Sequence, residues 1–163
     1  MAPSAPVEVA LSHPGVSWRG TAYFDTNHGD TSLEAAFRDW TWCRADLRDG
    51  AAILYDVNRT DGTRQELTLC FAADGTPRDI DPPRRVALPP TRFWRMPRET
   101  RSDDARAEVA RTFEDTPFYA RSYLRSTLRG EAVRPVHESL SLARFRHPLV
   151  RLMLPFRMPR RTR

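Results

Sequence analysis

The chain holds 163 residues, 40% of them apolar and 29% charged, with a formal net charge of +5. This composition excludes a disordered chain and suits one globular domain, and no run approaches the roughly 18 apolar residues of a membrane span. All 26 basic residues are arginine, which points to a GC-rich bacterial gene and weakens the high isoelectric point as a functional signal.

Residues 1–6 are small and proline-rich and are expected to be disordered, ahead of a single domain over 7–156 and a basic tail over 157–163. No secretory signal is visible at the start. Val7–Leu11 and Val16–Phe24 read as strands around the turn Ser12-His-Pro-Gly15. Asp25 to Asp30 is polar and irregular. Asp39–Leu47 alternates, with Trp40, Trp42 and Arg44 on one face and Thr41, Cys43 and Ala45 on the other. Ala52–Val57 and Gln65–Ala72 flank Asp61-Gly62, a strong hairpin signal, and Leu67, Leu69 and Phe71 share a face. Pro77–Pro90 holds five prolines and reads as a surface connection.

Thr91–Met96 is a further strand candidate. Asp103–Glu114 has helical propensity with Ser102 as a possible cap, yet Val109, Arg111 and Phe113 also fit a strand. Phe118–Leu128 and Ala132–Leu142 flank Gly130 as a hairpin. Val136, Glu138 and Leu140 point one way there; His137, Ser139 and Ser141 point the other. Leu142–Leu154 fits a helix, with Phe145, Leu149, Leu152 and Met153 in one stripe. Short strands at regular spacing predict a mainly β fold, an antiparallel barrel or sandwich closed by a C-terminal helix. A small barrel of this kind has room for one elongated apolar ligand. Cys43 and Cys70 lack metal spacing and read as buried thiols.

The densest chemical cluster runs from Trp18 to Asp30. Tyr23 and Asp25 stand two apart at a strand end, so they share a face. In an apolar cavity, desolvation would keep Asp25 protonated beside a phenol and make it a proton donor. Asn27 and His28 can position water. The plainer alternative is an Asx-type turn in which Asp25 and Asn27 cap the backbone. Trp40 and Trp42 would offer π surfaces to a polyene or a carbocation, or serve as ordinary core aromatics. His137 and Glu138 are a second possible acid–base pair, but neighbours in a strand face opposite ways. No metal-ligand spacing, phosphate loop or nucleophile elbow is present, which favours cofactor-free acid–base chemistry or binding alone.

Tyr23-Phe-Asp-Thr-Asn-His-Gly29 and Trp40-Thr-Trp-Cys-Arg-Ala45 resemble the carotenoid 1,2-hydratase family, the hydroxyneurosporene synthases. So do Leu54-Tyr-Asp-Val57, Glu114-Asp-Thr-Pro-Phe-Tyr-Ala-Arg-Ser122, Val136-His-Glu-Ser-Leu-Ser-Leu142 and Leu154-Pro-Phe-Arg-Met-Pro159. The resemblance implies a lipocalin-like β-barrel and hydration of the terminal C1=C2 bond of acyclic carotenoids such as neurosporene and lycopene. It implies no cofactor and no metal, with Asp25 as the acid, Tyr23 beside it, and Asn27, His28, Trp40, Trp42 and His137 around substrate and water. Family members are about twice this length, so the resemblance covers their C-terminal half. A His-x-Trp pair found upstream in the family has no counterpart before Tyr23. The chain is therefore expected to be a fragment, a split gene product working with a separate N-terminal β-domain as partner, or a degenerate relative; an inactive half would be a carotenoid binder without turnover. The hydrocarbon substrate implies a cytoplasmic protein meeting the membrane surface, through the Leu142–Leu154 stripe and Arg157, Arg160, Arg161 and Arg163. Arginines interspersed with acids argue against nucleic acid as a partner.

Overall fold

A computed structural model describes residues 2–155 and shows a mainly antiparallel β fold. In chain order the elements are β1 (Ala2–Leu11), β2 (Val16–Phe24), α1 (Leu33–Ala36), β3 (Phe37–Leu47), β4 (Gly50–Arg59) and β5 (Arg64–Ala72). There follow β6 (Pro77–Asp79), β7 (Arg84–Leu88), β8 (Arg98–Ser102), β9 (Ala107–Asp115) and β10 (Tyr119–Leu128). The chain continues through β11 (Glu131–Val133), β12 (Val136–Ser141), α2 (Leu142–Phe145) and α3 (Pro148–Met153).

The main sheet runs β11-β10-β12-β3-β4-β5-β6, with β9 also paired to β10. Strand pairing does not close it into a ring among the described residues. Two hairpin ribbons lie outside this sheet, β1–β2 and β7–β8, one on each face. Alternation decides which side chains meet which ribbon. Cys43, Ala45, Ala52, Leu54 and Cys70 point toward the β7–β8 side and form the apolar core with Leu128 and Val133. Polar residues share that side. Arg101 reaches Asp56 through Nε (2.8 Å) and Nη2 (2.6 Å). Arg98 donates to the Ser122 hydroxyl at 2.9 Å. Trp40, Trp42, Arg44 and Tyr55 take the opposite side, under β1–β2.

Several expectations change. Residues 2–6 are not disordered: they extend β1, with Ala5 and Pro6 opposite Ala22 and Thr21. Pro77–Pro90 is not only a connection, since it contains β6 and β7. Thr91–Met96 is a loop rather than a strand. Arg95 has a φ of 52°, and the Met96 amide returns to the Thr91 hydroxyl at 2.9 Å. Of the two readings of Asp103–Glu114, the strand is correct. The Ser102 hydroxyl donates to Asp104 instead of capping a helix. The single helix over Leu142–Leu154 divides at His147-Pro148, because the residue before proline is driven out of the helical region (His147 ψ 129°). Both cysteines are free and buried, and burial pushes the Cys43 thiol up to about 12.

Candidate active site

Tyr23 is the penultimate residue of β2, and Asp25 directly follows that strand. The Tyr23 phenol donates to Asp25 Oδ2 at 3.0 Å, and the Asn27 amide donates to the same oxygen at 3.4 Å. Both donors are side chains. The carboxylate is held by these groups rather than by backbone amides, which separates this arrangement from a simple turn cap. Partial burial, reinforced by the bond to Asp25, moves the phenol well above its ordinary range, so it stays a donor at physiological pH.

The Tyr23 ring lies 5.0 Å from the Trp42 ring, tilted by 47°. Strand pairing builds the surroundings of Trp42. Tyr55 of β4 stands opposite it on one side, and Glu138 of β12 stands opposite it on the other. A groove of 850 Å³ opens here, lined by Thr21, Tyr23, Trp42, Tyr123, Val136 and Glu138, with arginines including Arg44 and Arg121 around it. A second hollow of 420 Å³ lies against Tyr55, Val57 and Leu67 on the same face. Tyr55 and Trp42 are register partners, so the two hollows adjoin across one strand spacing.

Trp40 is one step along this face, half-buried, with its ring 6.0 Å from Phe37. Asn27 reaches Asp25, as above. His28 is exposed and makes no side-chain hydrogen bond among the described residues. His137 departs from expectation: it is fully buried on the opposite face, under β8. Its Nε2 is 2.7 Å from the Glu99 carbonyl, which can only accept, so Nε2 carries the proton. Burial lowers its pKa to about 4, which keeps the ring neutral. His137 is thus a core residue that cannot reach Asp25 or Trp42. Glu138 and Tyr55 do border the site. The period of two had placed Glu138 with Val136 and Leu140, but register against β3 was needed to bring that face to Trp42.

The family model of carotenoid hydratase CrtC matches residues 1–163. An acyclic carotenoid 1,2-hydratase of Thiocapsa roseopersicina is 49% identical over 98% of this chain and 40% of its own length. One from Rubrivivax gelatinosus is 44% identical over 99% of this chain and 40% of its own. One from Cereibacter sphaeroides is 45% identical over 98% and 57% respectively. The chain therefore spans about half the length of these curated relatives, or less. Among solved structures, the siderocalin Ex-FABP aligns at 12% identity over 74% of this chain and 81% of its own, with a TM-score of 0.23, too loose to bear on the fold. With the family match running through every segment that builds the Tyr23–Asp25–Trp42 cluster, the chain belongs to the carotenoid hydratase CrtC family.

Proposed function

We propose that this chain provides the proton-donating site of an acyclic carotenoid 1,2-hydratase. Asp25 is the acid: its carboxyl protonates C2 of the terminal C1=C2 bond, and the positive charge develops on the tertiary carbon C1. Water then adds to C1 and gives the tertiary alcohol. Neurosporene and lycopene are substrates of the right class. The observation that carries the reading is the bonded Tyr23–Asp25 pair set against the Trp42 ring at a groove. Protonating an alkene requires an acid whose conjugate base is stabilised as it forms. The Tyr23 hydroxyl and the Asn27 amide both donate to that developing carboxylate. The cation requires π faces rather than a nucleophile, and Trp42 supplies one, with Trp40 extending the aromatic wall. Adjoining hollows on one face suit an elongated hydrocarbon better than a compact ligand.

The groove lies between the main sheet and the β1–β2 ribbon, and the relatives carry additional chain. That extra chain, covalent or separate, is the proposed β-domain partner that covers it. Membrane contact is part of the same reading. Phe145 of the apolar stripe packs on Phe118, but Leu149 and Leu152 of α3 are 64% and 67% exposed, so this part of the stripe is free to enter a lipid interface. The arginines of 157–163 lie outside the described residues.

The test is Asp25→Asn, assayed with lycopene by separation of hydroxylated product in the protein with all its family domains. Hydration should fall by at least about a hundredfold with normal expression. Retained turnover would remove Asp25 as the donor. Wild-type protein that shifts carotenoid absorbance without forming product would make it a binder instead.

A further inference from the structure

Trp42 occupies the centre of a cross-strand row. At one level of the main sheet, Leu67, Tyr55, Trp42, Glu138 and Arg121 follow one another on β5, β4, β3, β12 and β10. Successive members of such a row stand about 5 Å apart, so Glu138 is the immediate neighbour of the indole. Tyr23 approaches the same indole from β2, carrying Asp25 with it. The groove therefore has Tyr23, bonded to Asp25, on its ribbon side, the Trp42 ring at its floor and the Glu138 carboxylate on its sheet side.

Glu138 is not consumed by structure. Arg121, its register partner on β10, makes its ion pair with Glu114 at 3.0 Å, and no ion pair joins any arginine to Glu138 among the described residues. Half-buried, it faces the groove together with Tyr23, Tyr123, Arg44, Arg111, Arg125 and Arg134. The Tyr119 phenol, diagonal to it, is raised by burial and by the charge of Glu138, so it remains a donor toward that carboxylate.

We propose that Glu138 is the general base of the hydration, taking the proton of the water that attacks C1. The proposal rests on the hydratase reading. In the balanced sequence, the Asp25 carboxyl gives its proton to C2 and becomes a carboxylate, and the C1=C2 π pair forms the new C–H bond. A water oxygen pair then bonds to the cationic C1, and one water proton passes to the Glu138 carboxylate. Solvent returns the proton balance by moving a proton from Glu138 to Asp25, so no co-reactant beyond water is required. With Asp25 held by Tyr23 on the ribbon and Glu138 beside the indole on the sheet, proton delivery and water activation fall to separate carboxylates. One alone would have to do both from the same side.

Glu138→Gln keeps size and hydrogen bonding while removing the base. It is assayed in D₂O with lycopene and all family domains present, following both alcohol formation and deuterium entry into recovered lycopene. Asp25 still forms the cation in this variant, and the cation can lose a proton back. Hydration is expected to fall by at least about a hundredfold while deuterium still enters recovered lycopene. Hydration at the wild-type rate would overturn the proposal, and so would loss of exchange in step with hydration, which would place Glu138 in the acid step or in folding. If Glu138→Gln does not fold, Glu138→Asp carries the test: a smaller shift from product toward exchange supports the base, and an unchanged ratio overturns it. Wild-type protein that forms no alcohol would instead overturn the hydratase reading.

Discussion

Replacing Tyr23 by phenylalanine removes one hydroxyl and leaves the ring against Trp42 in place. The lost interaction is the 3.0 Å bond to Asp25 Oδ2. In the proposed reaction Asp25 releases its proton and that acceptor oxygen gains charge, so the bond would be stronger after protonation of the alkene than before it. A hydrogen bond to a charged group contributes about 1.5–3 kcal/mol. Tyr23 and Asp25 are only half-buried, which places the loss toward the lower end, about tenfold in rate. The Asn27 amide at 3.4 Å still holds the carboxylate, which again argues for slowing rather than abolition. The assay is the initial rate of alcohol formation from lycopene for Tyr23→Phe beside Asp25→Asn. An unchanged rate would show that the phenol does not assist the acid. A loss as deep as that of Asp25→Asn would show that the phenol is as indispensable as the carboxyl, and would refute its assignment as a mere assistant.

Asp56→Ala should destabilise the fold by roughly 3 kcal/mol, because it strands the buried Arg101 guanidinium with only the half-exposed Glu66 as a remaining acid partner. Thermal unfolding should then fall by about 6–12 °C, and a shift under 2 °C would show that the pair is not a strong contributor. Changing Leu149 and Leu152 together to serine should weaken co-sedimentation with anionic vesicles at least about tenfold, since each leucine contributes on the order of 1.5–3 kcal/mol when buried. Equal binding by the double variant would remove α3 as the lipid contact.

Strand parity was legible in the residues themselves. Alternation in Asp39–Leu47 put Trp40, Trp42 and Arg44 on one face, and they are on one face. Tyr23 and Asp25 were paired by their spacing of two, and their side chains bond. What alternation cannot supply is which face of one strand meets which face of another. His137 and Glu138 were equally plausible acid–base residues on chemistry alone. Register with Cys43 places its ring in the core, where a backbone carbonyl fixes it. β8 was hidden for a different reason. Arg98-Glu-Thr-Arg-Ser102 looks like a solvated charge run, yet both arginines are buried because Asp56 and the Pro89 carbonyl receive them. A strand stabilised by buried guanidinium pairs has no apolar period to read.

The division of the site between two layers has a chemical consequence. Tyr23 and Asp25 belong to the β1–β2 ribbon, whereas Trp42 and Glu138 belong to the main sheet. No ladder hydrogen bonds join these layers among the described residues. The ribbon is held instead by side chains such as Arg44, whose Nε donates to the Pro3 carbonyl at 2.7 Å, and by the Tyr23–Trp42 ring contact. The distance from Asp25, the proposed acid, to the Trp42 indole is therefore set by packing rather than by strand register. Packing contacts relax more readily than a ladder. Arg44 and Trp42 lie two apart on one strand face, so the residue that anchors the ribbon and the residue proposed to face the cation are placed by the same few backbone torsions of β3. That coupling explains how the Tyr23–Asp25 pair, carried on a separate hairpin, can still be positioned against a ring in the sheet.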